Sequence, residues 1–115
     1  MIKAKINLYL LIFNKESLKY DIVSTDEEKI VVPSFEIDKD TNLIDEIRKE
    51  FENNVELSSR FVSFVLSDAF VENQELIIEY YCLVPYMTNL KNSYLLSTDV
   101  QKNYSKNILK VLQSI

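Results

Sequence analysis

No glycine occurs anywhere in these 115 residues. Every turn that needs a positive φ must therefore place a residue with a side chain there, and asparagine is the usual substitute. Asn14, Asn73 and Asn89 stand at the expected turns. The same absence removes the glycine-rich loops that bring backbone amides against a pyrophosphate, which excludes Walker-type and Rossmann-type nucleotide sites. Histidine is absent as well. That removes histidine-based triads, most zinc sites and the commonest general base near neutral pH.

Hydrophobic residues make up 47% and charged residues 27% of the chain, the balance of a folded globular protein and not of a disordered one. The length predicts one domain spanning residues 1–115. A net charge of −5 argues against nucleic acid as the main partner, since binding its backbone needs clustered cations. No apolar run approaches the roughly 20 residues of a membrane span, so no membrane partner is expected. The N-terminal MIKAKINLYLLIFN reads as a strand and not as a signal peptide. The lone Cys82 excludes an internal disulfide and fits a small buried strand residue in a reducing compartment. The expected location is cytoplasmic, within a cell or a viral assembly, and not secreted. Abundant Lys, Asn and Ile beside scarce Gly, Ala and Pro point to an AT-rich coding source, cellular or viral.

Ile2, Ala4, Ile6, Leu8, Leu10 and Ile12 fall at every second position, the period of a strand with one buried face; Leu11 and Phe13 make its far end apolar on both. A turn at Asn14 to Ser17 leads to a second strand, Leu18 to Val23. Ile30 to Val32 reads as a short third strand stopped by Pro33. The period then changes. Leu43, Ile44, Ile47 and Phe51 recur at helical spacing behind Asn42 or Thr41 as N-cap, predicting a helix at about 42–54. Phe61 to Val71 and Leu76 to Val84 read as strands joined by the hairpin signal Glu72-Asn73-Gln74-Glu75, with a short extended piece at Tyr94 to Leu96. Thr98-Asp99-Val100-Gln101 has the form of a capping box and opens a helix over 98–115. Val100, Tyr104, Ile108, Val111, Leu112 and Ile115 share one face of it; Lys102, Lys106 and Lys110 line the other, read as a solvated surface.

The element order, strand-strand-strand-helix-strand-strand-helix, resembles the Nudix hydrolase fold, and the resemblance centres on residues Phe35 to Leu57. The family's box runs glycine, five residues, glutamate, seven residues, then arginine-glutamate-apolar-any-glutamate-glutamate-any-glycine-apolar. With its arginine set on Lys49, the next glutamate is Glu50, the apolar position Phe51 and the closing apolar position Leu57. The opening glycine falls on Phe35, the isolated glutamate on Thr41, the paired glutamates on Asn53 and Asn54, and the late glycine on Glu56. The fold implied is α+β, an α/β/α sandwich with a mixed curved sheet between two main helices. The chemistry implied is Mg²⁺-assisted hydrolysis at a diphosphate. At the convergent positions, however, Glu50 is the one carboxylate left beside two neutral amides, and Mg²⁺ usually needs at least one or two carboxylates with water and substrate phosphate.

The leading expectation is a catalytically inactive Nudix-like binding or structural module, with no metal and no cofactor. Its partner is another protein or a second copy of itself. Tyr80, Tyr81, Tyr86 and Tyr94 are the interface candidates. Two alternatives stay open: a divergent Mg²⁺-dependent hydrolase of nucleoside diphosphate derivatives using Glu50 and Glu46, or a domain that holds a nucleotide without cleaving it. Tyr80, Tyr81 and Tyr86 with Phe61, Phe64 and Phe70 offer rings for base stacking, but at strand spacing such rings usually fill a sheet face. Glu79 is expected to face outward from its strand.

Overall fold

A computed structural model describes residues 3–98, 106–113 and 115. β1 (Ala4–Asn14) forms where the period-two pattern places it, with Ala4, Ile6, Leu8, Leu10 and Ile12 all buried. β2 (Lys19–Ser24) folds back antiparallel, from Leu11 opposite Ile22 to Asn14 opposite Lys19. The turn between them is held by the Asn14 side chain, whose Oδ1 accepts from the amides of Glu16 at 2.9 Å and Ser17 at 3.3 Å. Asn14 itself has no positive φ; Leu18 takes that burden at φ 60°.

The third strand lies after Pro33 and not before it. Residues 30–32 belong to a loop organised by Ser24, whose hydroxyl sits 2.8 Å from the Lys29 carbonyl and 3.0 Å from the Val31 amide. β3 (Ser34–Ile37) pairs antiparallel with the first half of β1, Ala4 opposite Ile37 and Ile6 opposite Phe35. Proline lacks an N–H but keeps its carbonyl, and here that carbonyl accepts from the Leu8 amide at 2.9 Å. Pro33 therefore leads into β3 instead of ending a strand at residues 30–32.

The fourth strand also starts later than expected: Ser59 to Phe61 form a 3-10 turn capped by Ser58, and β4 runs Val65–Glu72. β5 (Glu75–Val84) returns through Asn73 at φ 52° and Gln74 at φ 66°, a turn whose two central residues are both left-handed. That geometry normally calls for Asn-Gly, and glutamine fills the glycine position. Among the described residues the remaining positive-φ sites are Met87 and Asn92; Asn89 is not one of them. β6 (Tyr94–Ser97) pairs with β2. The sheet order is β4-β5-β1-β2-β6, with β3 also on β1. β1 and β5 run parallel from Ala4 opposite Leu76 to Ile12 opposite Val84, and the other pairs are antiparallel, which makes the sheet mixed.

A helix covers each face. α1 (Leu43–Asn54) sends Ile47 and Phe51 into a core with Ile6, Leu8, Leu10, Cys82 and Val84. Ile44 lies outside this face and is exposed. α2 (Lys106–Gln113) sends Ile108 and Val111 onto Tyr9, Leu11 and Ile22 on the opposite face. Fully burying such aliphatic or aromatic side chains is worth about 1.5–3 kcal/mol each, so both cores carry real weight. Ile115 is exposed, outside the expected apolar face. Lys110 is not simply solvated; it pairs with Asp68 of β4 at 2.8 Å. Thr98 donates to the Tyr20 carbonyl at 3.0 Å. The rest of the expected capping box, Val100, Tyr104, and the Lys102 and Lys106 side chains lie outside the described residues. Among the described residues no helix is long and apolar enough to cross a membrane.

Candidate functional site

α1 begins where the sequence places it. Asn42 caps it, its Oδ1 accepting from the Asp45 amide at 3.2 Å, and Asp45 and Glu46 put negative charge in the first turn. Thr41 is not the cap. Its hydroxyl accepts from the Asp38 amide at 3.2 Å and donates to Asp38 Oδ1 at 3.1 Å, closing the loop from β3. The position that carries a glutamate in the family pattern is thus a turn residue here.

At its other end α1 passes into extended backbone at Val55 (φ −134°), so no left-handed residue is required where Glu56 replaces the pattern's glycine. The helix end is fastened to the β5–β6 loop. The Asn54 carbonyl accepts from the Lys91 amide at 2.8 Å and from the Ser93 hydroxyl at 2.9 Å, and the Glu56 amide donates to the Asn89 carbonyl at 2.8 Å.

Between these ends, Glu46, Glu50 and Asn54 share one strip of the helix. Glu46 and Glu50 are half-buried and Asn54 is 6% exposed, whereas Lys49 and Asn53 face solvent. Asn54 Nδ2 donates to the Glu50 carbonyl at 2.8 Å and to Glu50 Oε1 at 3.3 Å. A helix carbonyl can only accept, so the amide must present its NH₂ group on this side. The structure therefore joins Glu50 to Asn54 and leaves Asn53 out. Glu52 points away: its Oε2 accepts from the Ser59 amide at 2.8 Å, and that bond holds its carboxyl below the usual range. Among the described residues no group of three or more His, Cys, Asp or Glu side chains is arranged to hold a metal ion.

Beside the β3–α1 loop lies a cleft of about 270 Å³ lined by Ala4, Ile37, Leu76 and Ile78 with Asp38 and Lys39 at its edge. Its walls are aliphatic and carry no aromatic ring. The interface candidates separate. Tyr80 packs against the α1-side core and Tyr81 against the α2-side core, both half-buried, while Tyr86 and Tyr94 are exposed. Phe64 meets Phe51 edge-on at 5.5 Å, which fills the core.

Glu79 corrects the expectation that it faces outward: it is 1% exposed. In the parallel register it lies beside Asn7, whose Nδ2 donates to its Oε2 at 3.0 Å, and the Tyr9 hydroxyl donates to the same oxygen. Burial and this carboxylate push the Tyr9 hydroxyl well above its usual range. Polar Asn7 in the middle of an apolar strand was the available signal; its partner lay too far along the chain to be read. Cys82 is buried as expected, and desolvation pushes its thiol up to about 12. It should resist thiol reagents in the native state and react on denaturation; stoichiometric native labelling by a disulfide reagent at pH 8 would contradict this burial.

No protein-family model and no curated protein sequence matches the chain. Solved structures do. A C. elegans Ap4A hydrolase binary complex aligns with TM-score 0.65 at 8% identity, covering 98% of this chain and 96% of that one. The NUDIX domain of Shewanella oneidensis NrtR, complexed with ADP ribose, aligns with TM-score 0.61 at 8% identity, covering 98% and 85%. A NUDIX hydrolase from Listeria monocytogenes gives 0.61 at 8%, covering 96% and 92%. The fold is Nudix-like, as the resemblance implies: among the described residues a mixed six-stranded sheet lies between two helices.

Proposed function

We propose that this Nudix-like domain is a binding module that does not hydrolyse phosphoanhydrides and works by contact with another protein or a second copy of itself. The hydrogen bond from Asn54 to Glu50 carries the reading. At the helix positions where a Nudix-type site gathers glutamates, the remaining carboxylate is engaged by a neutral amide, and Asn53 faces solvent. An amide offsets none of a divalent ion's charge and takes no proton from water. The donor set does not fit a magnesium ion, and Glu46, one turn earlier, adds a single half-buried carboxylate.

Titration with Mg²⁺ or Mn²⁺ followed by calorimetry and thermal unfolding tests this. The native chain should show no saturable heat and no rise in midpoint. The Asn53→Glu/Asn54→Glu variant should gain both, because a ligand held only by the folded state stabilises it by about 2.7 kcal/mol at a hundredfold excess over Kd. Metal-dependent cleavage of diadenosine tetraphosphate or ADP ribose by the native chain, lost in Glu50→Gln, would refute the proposal. Metal-free binding of ADP ribose would instead favour a nucleotide-holding domain.

A further inference from the structure

Where the parallel strands β1 and β5 end, a groove of about 310 Å³ opens between the β1–β2 turn and the β5–β6 loop. Phe13, Tyr86, Met87 and Leu95 form its apolar walls, and Glu16 and Asp21 place carboxylates on it. Both sides are held in place. Asn14 Nδ2 donates to Asp21 Oδ2 at 3.1 Å, which orients that carboxylate toward one edge. Across the groove, Thr88 Oγ1 donates to the Pro85 carbonyl at 2.7 Å and closes the turn that presents Tyr86 and Met87. Met87 sits at φ 65°, a region a non-glycine residue enters only when its surroundings hold it there. Tyr86 is 53% and Met87 76% exposed. Such apolar surface concentrated at one loop is typical of a contact site.

The chain itself displays the chemistry this surface accepts. The Lys15 ammonium rests over the Tyr86 ring, 4.4 Å from its centre, with the Glu16 and Asp21 carboxylates lining the same groove. An aromatic face beside carboxylates attracts a cation twice, through the ring quadrupole and through the anions. A phosphate would meet the two carboxylates instead, on a protein whose net charge is −5. We infer that this groove receives an arginine or lysine side chain of a partner protein, which takes the place of Lys15 on the Tyr86 ring and pairs with Asp21. The inference rests on the binding-module reading and names its partner's chemistry. Lys15 is the internal stand-in, and its long flexible stem lets it swing aside when the partner's cation arrives.

Titrating N-acetylarginine amide into ¹⁵N-labelled chain tests the assignment, with N-acetylglutamine amide as the neutral control and AMP as the anionic one. Arginine amide should move the resonances of residues 14–16, 21 and 86–88, and the controls should not. Tyr86→Ala and Asp21→Asn should each weaken binding about threefold or more, the scale of an exposed cation–π contact. Lys15→Ala should strengthen it by a similar factor, because the internal competitor is gone. Weaker binding by Lys15→Ala, shifts in the groove with AMP, shifts scattered over all surface carboxylates, or no shifts at all would each overturn the inference. Metal binding at Glu50 is read from a separate titration, so failure of the non-hydrolytic reading is distinguished from failure at the groove.

Discussion

Phe51→Ala is expected to lower the free energy of unfolding by about 3–5 kcal/mol, the usual cost of emptying a buried aromatic site. Phe51 is 0% exposed; it packs with Ile6, Leu8, Leu10 and Val84 and meets Phe64 edge-on. Sheet strands surround the vacated volume and cannot collapse into it cheaply. Urea titration should show a fall in midpoint with an unchanged slope. Ile44→Ala on the exposed side of the same helix should cost about 0.5 kcal/mol or less. Equal, small losses from both substitutions would mean that α1 does not pack on the sheet as described.

Tyr9→Phe should be the next most damaging change, at about 1.5–3 kcal/mol, the range for a hydrogen bond to a charged group. It leaves the Glu79 carboxylate buried with Asn7 as its one remaining side-chain donor of the pair. The substitution should also alter the alkaline limb of the stability curve. Tyr9 has its pKa raised from 10.0 in the folded chain by burial first and by Glu79 second. Below about pH 10 both states keep the proton and the contribution is fully present. As pH rises past that value the unfolded chain releases the proton while the folded chain retains it, so the native state binds more protons and stability falls. Tyr9→Phe should remove one proton's share of that slope, about 1.4 kcal/mol per pH unit. Identical slopes between pH 10 and 11 for the two proteins would show that Tyr9 is not protected in this way.

What could be read from the sequence was local. Asn42 as cap, Leu43, Ile47 and Phe51 at helical spacing, and the exit near Asn54 fix α1 within one residue, because capping and period both act over a single turn. The even-numbered apolar run of β1 is legible for the same reason. The approach of Asn54 to Glu50 follows from i, i+4 geometry. The place of β3 was not legible: Ile30 to Val32 has strand composition, but the pairing with Ala4 to Asn7 falls to residues 34–37. Glu79 was missed because its donors come from β1 through a parallel pairing that no local pattern encodes. The groove at Tyr86 was half visible. The ring stood among the interface candidates, but Lys15, Asp21 and Phe13 reach it only once two distant loops meet.

The parallel pairing of β1 with β5 has a consequence for synthesis. Asn7 and Glu79 are 72 positions apart, yet they stand side by side at the middle of the sheet. At typical translation speeds the ribosome needs about 4 to 14 seconds to cover that interval. During that time the apolar β1 waits without β5, its permanent neighbour, and β2 and β3 are the companions already made. A growing polypeptide of this design is exposed to chaperone capture or aggregation through β1 until β5 is made, and slowing elongation before Leu76 should lengthen that window.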